Sequence, residues 1–371
     1  MTNLTQKSSE QFLGAAVRVV TLTLFLVIFG ASAALAQTRG YVANVGSDTV
    51  SVIDPVTNTV VATVPVVSGP FAIAVTPNGA FAYVANIGSN DVSVISSATN
   101  TVVATVPVGA GPTGIAITPN GAFAYVVNRT DNSISVINTA TDTVATTITG
   151  IAVGPFSVAI TPSGDFAYVP SSSGPVTVID TATNAVVATV PVGGNPNGLA
   201  ITPNGAFVYV AAFNANTVAV ISTTSNAVVA TVPVGSRPLG VAITPNGAFA
   251  YVANQGSNTV SVIDTSTNAV VATVPVGAAP RLLAIDPTGA FVYVPNLGSN
   301  TVSVIDTATN TVIATVAVGT NPNAVAFAVI TQGPTNKDQC KNGGWQTFTN
   351  PSFKNQGQCI KFVNHMDEHD H

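Results

Sequence analysis

After residue 36 the chain is a succession of short apolar runs cut by polar turn formers. The stretch 238–277, PLGVAITPNGAFAYVANQGSNTVSVIDTSTNAVVATVPVG, shows one full unit. Its runs Leu239–Thr244, Ala248–Ala253, Thr259–Ile263 and Ala269–Val276 are rich in Val, Ile, Thr, Phe and Tyr, which suit strands. Between them stand Pro245-Asn246-Gly247, Asn254–Asn258 and Asp264–Asn268, which are turn chemistry. No run has the 3.6-residue apolar period of a helix, so no helix is expected after residue 36. Runs such as AFAYVA do not alternate strictly, which predicts sheets covered on both faces.

The unit recurs. Tyr41, Tyr83, Tyr125, Tyr168, Tyr209, Tyr251 and Tyr293 each open a Tyr-Val pair, spaced by 42, 42, 43, 41, 42 and 42 residues, and the chain has no other tyrosine. A residue used once per repeat reads as structural. Four strands in some forty residues, repeated seven times, is the arithmetic of an all-β, seven-bladed β-propeller of four-stranded blades. Small residues on the first strand, such as Ala72, Gly114, Gly198 and Gly240, suit the crowded axis. An open solenoid is the alternative, but no polar end caps are visible. The first unit starts at its second strand, Tyr41, while an extra first-type strand, 322–330 (PNAVAFAVI), follows the last unit. Pairing 322–330 with 41–67 would complete blade one and close the ring, removing two exposed sheet edges.

The repeats resemble the YVTN family of β-propellers through YVAN at 41–44, 83–86 and 251–254, together with VSVID, VVATVPVG and the ITPNG segment. The resemblance covers about 37–331, with departures at YVPS (168–171), YVAA (209–212) and YVPN (293–296). It implies a secreted or surface protein. Related propellers include lactonases and haem d1 or quinoprotein domains, so the resemblance leaves activity open.

Antiparallel blades place the fourth-to-first links and second-to-third turns on one face, and the other turns on the opposite face. Asp54, Asp180, Asp264 and Asp306 then read as turn residues bonding their own backbone. Residues 37–332 contain no His, Lys, Cys, Glu, Met or Trp. That removes the ordinary base for a serine nucleophile, the usual axial haem ligands and a His/Cys zinc site. No cofactor and no catalytic residue is assigned. Four arginines break the repeat: Arg39, Arg129, Arg237 and Arg281. Arg129, Arg237 and Arg281 are expected on the face of the links, near the channel mouth, flanked by Asn197, Asn214 and Asn323. They are a candidate patch for a small anionic group or a glycan; scattered solvated arginines are the bland alternative.

Composition then places the protein. A polar stretch with Lys7 and Arg18, an apolar run from Val19 to about Phe29, and Ala34-Leu35-Ala36 follow the order of a secretory signal peptide over 1–36. An uncleaved anchor is the alternative. Export makes the location secreted, periplasmic or cell surface, where disulfides persist. Charged residues are only 7% and the net charge is −5, which argues against a nucleic-acid partner. Mean hydropathy is high, +0.48, yet Gly, Pro, Asn or Thr interrupts every later apolar run, so no membrane span is expected once the signal is removed. A monomer is expected.

Residues 333–371 differ sharply from the ring and hold both cysteines, the single Trp and all three histidines. Cys340 and Cys359 should pair and contribute roughly 3 kcal/mol against the reduced state. The segment CKNGGWQTFTNPSFKNQGQC resembles a Cys-bounded tail of many secreted bacterial proteins. A hairpin is expected here, with Trp345, Phe348, Phe353 and Phe362 as a small core. No metal site is assigned: His365, His369 and His371 could at most weakly hold a metal ion, and a frayed, solvated terminus is the preferred reading.

The reading is a non-enzymatic, exported binding or surface-interaction module for an unknown protein, glycan or small anion. A lactonase-like hydrolase and a structural wall or matrix component are the alternatives.

Overall fold

The computed structural model describes residues 36–331, 337–341 and 355–367. Seven four-stranded antiparallel sheets form a seven-bladed β-propeller. Blade two is typical: Pro70–Val75 lies innermost, followed outward by Phe81–Asn86, Asp91–Ser96 and Thr101–Pro107. Blade one is assembled from both ends of the repeat region, in the order Pro322–Thr331, Ala36–Asn44, Thr49–Asp54, Thr59–Pro65. Tyr41 pairs with Ala326, and Ala36 with Thr331. The ring is therefore closed as the repeat count requires, and a solenoid is excluded.

The core lies between blades. One slab joins Tyr41, Val50 and Val52 of blade one to Val84 and Ile95 of blade two, and another joins Tyr293, Val302 and Val304 of blade seven to Val42 and Ile53 of blade one. Each blade is apolar on both faces for this reason, which accounts for the non-alternating strands and the high hydropathy. The outer edge of each blade carries a bulge at one place. In blade one Val52 pairs with Ala62 and Ile53 with Val60, leaving Val61 unpaired and half exposed. Bulges twist an edge away from edge-to-edge pairing, a protection these almost uncharged strands need.

Asparagine recurs because the turns demand it. Asn58, Asn100, Asn184, Asn226, Asn268 and Asn310, with Asp142, all have φ near +50 to +60° at the third-to-fourth turn. Asn and Asp tolerate that left-handed backbone better than other non-glycine residues.

Beyond the ring, a 3-10 turn Lys337–Cys340 and an α-helix Gln356–Asp367 are joined by the Cys340–Cys359 disulfide, with Cα atoms 5.6 Å apart. The expected hairpin, and the expectation of no helix after residue 36, are both wrong at 356–367. Asn355 caps the helix, its Oδ1 accepting from the Gln358 amide at 3.0 Å. The helix spans only 12 residues, too few for an apolar period to stand out. Trp345, Phe348, Phe353, His369 and His371 lie outside the described residues. No helix among those described is long and apolar enough to cross a membrane.

Candidate functional site

The links and second-to-third turns share a face, as their hydrogen bonds require. Arg129 N donates to Gly111 O at 2.9 Å, and Gln255 N to Arg237 O at 3.0 Å. Each inner strand enters from this face at a proline, so the residue after it stands at the channel mouth. Around the ring these residues are Phe71, Thr113, Phe156, Asn197, Leu239, Arg281 and Asn323. Only the first residue of the second-to-third turn on the same face, Val45, Ile87, Arg129, Ser172, Phe213, Gln255 and Leu297, varies as widely.

The next position is small in six blades: Ala72, Gly114, Ser157, Gly198, Gly240 and Ala324. The axis leaves no alternative. A Cβ on Gly240 would stand 2.5 Å from Arg281 O, and one on Gly198 would land on Leu239 O. Blade seven breaks the rule with Leu282. Its regular inner strand is cut to Ala284–Ile285, with Pro280 bridging to Asn296 of the same blade, and Leu282 bridges in parallel to Ala324 of blade one. Leu282 N donates to Asn323 O at 3.0 Å. Arg281 and Asn323 thus stand side by side on the adjoining inner strands of blades seven and one.

Arg281 has no charged partner. Among the described residues the ion pair is Arg39–Asp54, at 3.2 Å on the opposite side of the disc. The Nε of Arg281 is buried without a hydrogen-bond partner, and burial pulls its pKa below the usual arginine range. Asn323 is 1% exposed. Its Nδ2 donates to Phe71 O at 2.7 Å, while its Oδ1 has no donor. The Thr113 hydroxyl and Asn195 Oδ1 are likewise buried without partners. Asn197 is buried and donates to Asn195 O at 3.2 Å. Phe71 and Phe156 meet edge to face, with centroids 5.9 Å apart.

Of the residues expected to form the patch, Asn197, Arg281 and Asn323 reach the mouth. Arg129, Arg237 and Asn214 lie on the same face but out on its rim, exposed. Arg129 stacks 5.5 Å over Phe156, and Arg237 lies 5.9 Å from the Phe213 ring centroid. Arg237 has φ +53°, where blades two to four place Gly69, Gly111 and Gly154. Asn214 is held by its backbone, donating to Gly194 O at 2.8 Å. The patch is therefore one partly buried arginine at the mouth, with Arg129 stacked from the rim on the mouth residue Phe156 and Arg237 farther out beside Phe213. Sequence reasoning missed Phe71, Thr113, Phe156 and Phe213; the first three were readable as the residues that vary after each entry proline.

Charge divides the disc. The mouth face carries Asp48, Asp91 and Asp131 beside its three arginines. The opposite face carries Asp54, Asp142, Asp165, Asp180, Asp264, Asp286 and Asp306 with Arg39 alone. Asp54, Asp180, Asp264 and Asp306 accept from backbone amides two or three residues on, as turn residues do. The bonds from Thr183 hold Asp180 below the usual carboxylate range, and those from Ser266 do the same for Asp264. Asp286 is also turn chemistry, accepting from Phe291 N at 2.7 Å. No group of three His, Cys, Asp or Glu that could hold a metal ion occurs among the described residues.

Below the mouth the channel holds a cavity of about 160 Å³, lined by Thr113, Ser157, Leu282, Ala324 and the glycines and branched aliphatics of the inner strands.

Two family models match parts of the chain. "Lactonase, 7-bladed beta-propeller" matches residues 223–327, and "Cytochrome D1 heme domain" matches 118–238. A search of curated proteins found no match. Among solved structures, a chain of the Kuenenia stuttgartiensis hydrazine synthase is 29% identical, with a TM-score of 0.67 over 72% of this chain and 92% of that one. A protein of unknown function from Desulfotomaculum acetoxidans is 18% identical, with a TM-score of 0.70 over 78% and 98%. The dihydro-haem d1 dehydrogenase NirN, in complex with DHE, is 12% identical, with a TM-score of 0.60 over 78% and 74%. The last two share the fold alone.

The cytochrome d1 match raises the question of haem. The ring offers no His, Met, Cys or Lys, and the seven tyrosine hydroxyls are all committed to hydrogen bonds with neighbouring blades. The channel cavity of about 160 Å³ is below the usual range of a ligand pocket, about 300 Å³ and upward. These residues do not fit a haem in the channel.

Proposed function

We propose that the protein is an exported, non-enzymatic binding or surface-interaction module that offers its mouth face to a glycan or an anionic ligand. One observation carries this reading: chemical variation among the repeats gathers on one face, at the seven mouth positions and in the links and second-to-third turns around them, while the turns of the opposite face largely repeat. Both flanking segments leave from that opposite face, because Ala36 pairs with Thr331 at the far end of blade one. The signal-like order of residues 1–36 and the Cys340–Cys359 disulfide agree with export.

The test applies purified residues 37–371, and a Phe71→Ala/Phe156→Ala variant, to a glycan array and to isolated cell-wall material. Retention of the wild type and its loss in the variant are expected. Retention of neither would overturn the reading, and equal retention of both would favour a structural component binding through its outer surface.

A second reading draws on the lactonase match, because 223–327 contains Leu239, Arg281 and Asn323. Turnover of a lactone panel by the wild type, abolished by Arg281→Gln, would put a hydrolase in place of a binder.

A further inference from the structure

We propose that the channel mouth is a seat for an acidic sugar, whose carboxylate sits on Arg281 and whose hydroxyls meet Asn323 and Thr113; this rests on the binding reading above. The argument starts from unmet hydrogen bonds. A partly buried guanidinium without a counter-ion is costly. Its planar fork of donors matches a carboxylate, and Arg281 has Nε buried and empty with no ion pair.

A bare oxyanion would not complete the site. Asn323 Oδ1 is a buried acceptor without a donor, and a carboxylate by itself has no proton to give it. The ligand must donate as well as accept, which points to hydroxyl groups beside the carboxylate. Thr113 Oγ1, also unpartnered, can serve either role. These atoms are not a by-product of the repeat. The orphan amide oxygens of Asn44, Asn86, Asn128, Asn254 and Asn296 recur at one turn position in five blades, whereas those of the mouth occur once each.

Apolar contacts are at hand too. Phe71 stands in the same ring of residues as Arg281, edge to face with Phe156, and supplies a surface for the C–H faces of a sugar. Charge gives the direction of approach, since the opposite face holds seven aspartates against one arginine. Of the proposed contacts Thr113 lines the channel cavity below the mouth, whose volume of about 160 Å³ admits an end group rather than a chain passing through. The shared chemistry is that of a free sugar acid or the terminal uronic acid of a glycan.

Calorimetry on purified residues 37–371 would use D-glucuronate, D-glucose, acetate, inorganic phosphate and a short oligouronate. Glucuronate is expected to bind roughly tenfold or more tightly than glucose or acetate, and to raise the melting temperature. Arg281→Gln should lose that binding and the thermal shift while keeping its circular dichroism spectrum, and Asp264→Asn on the opposite face should lose neither. Oligouronate binding tighter than glucuronate supports a glycan terminus; equal binding supports the free acid. Acetate or phosphate binding as tightly as glucuronate overturns the assignment, as does Arg281→Gln binding unchanged or wild type failing to bind glucuronate. If glucuronate fails but Phe71 and Phe156 still govern glycan or wall retention, the acidic-sugar assignment alone falls. If wild type is retained by neither, the binding reading falls with it.

Discussion

The hydroxyl of Tyr293 donates to Asn58 Oδ1 at 2.8 Å, across 235 residues of sequence. This bond staples blade seven to blade one, and each other blade repeats it. Tyr41 reaches Asn100, Tyr125 reaches Asn184, Tyr168 reaches Asn226, Tyr209 reaches Asn268 and Tyr251 reaches Asn310; Tyr83 reaches Asp142. The tyrosine of every blade thus bonds a turn residue of the next, and the rings are almost fully buried.

Replacing one such hydroxyl should therefore cost stability, not binding. Tyr293→Phe is expected to lose about 1 kcal/mol, the net value of a neutral hydrogen bond. Tyr83→Phe should lose more, roughly 1.5–3 kcal/mol, because its acceptor is the Asp142 carboxylate. Urea unfolding of the two variants checks both the sign and the order.

Alkaline pH should unfold the ring. Burial is the main cause that raises the tyrosines: Tyr41 and Tyr251 are pushed up to about 12, Tyr83 and Tyr293 higher still, and Tyr125, Tyr168 and Tyr209 also upward. A folded-state value above the unfolded value of 10.0 means the unfolded chain releases protons first. The tyrosines' contribution is complete below that pH and is lost as pH rises toward 12 and beyond. Melting temperatures that are flat in this respect at lower pH and then fall steeply, with tyrosinate absorbance appearing together with unfolding, are the expected result.

Gly198→Ala and Gly240→Ala should each destabilise by about 1–3 kcal/mol through overpacking. The added carbon meets backbone carbonyls of the neighbouring inner strand, Leu239 and Arg281, which cannot swing aside as a side chain can. Denaturant melts showing no loss would contradict the close approach of strands at the axis.

Removing the closing strand should be far more damaging. Phe327 packs edge to face on Tyr293 with centroids 4.9 Å apart and lies over Gly40. Phe327→Ala is expected to cost about 3 kcal/mol, the low end for a phenylalanine truncation, because the ring is partly buried. Truncation after Asn321 leaves blade one with three strands and an open edge, and should give aggregation on refolding, measured by light scattering.

Reduction of the disulfide should act locally. The bond joins the 3-10 turn to the helix, both outside the ring. A reducing agent is expected to leave the main thermal transition in place while proteolysis within 333–371 accelerates, as followed by mass spectrometry.

Much of the architecture was readable one residue at a time. Seven tyrosines at a fixed spacing gave the blade count, and a surplus first strand at 322–330 gave the closure, because a repeat that cannot bury its own faces must stack on its neighbours. The helix at 356–367 was not readable, since twelve residues with an Asn cap carry too little period. At the site, the grouping of Asn197, Arg281 and Asn323 at the mouth followed from strand direction alone. Their separation from Arg129, Arg237 and Asn214 did not, because one residue along a link decides whether a side chain meets the axis or the rim.

What the sequence determined by itself was periodicity: the strands, the turns, the ring and the face on which each loop falls, all local consequences of where Val, Pro, Asn and Gly stand. The tertiary structure alone decided which polar atoms are left without partners. Leu282 stands where the other blades hold glycine, alanine or serine, and there the inner strand of blade seven bridges to Ala324 of the neighbouring inner strand, which sets Arg281 beside Asn323. Arg281 and Asn323 belong to consecutive inner strands, 42 residues apart, and the packing of those strands at the axis, which no pattern within one repeat encodes, brings them together.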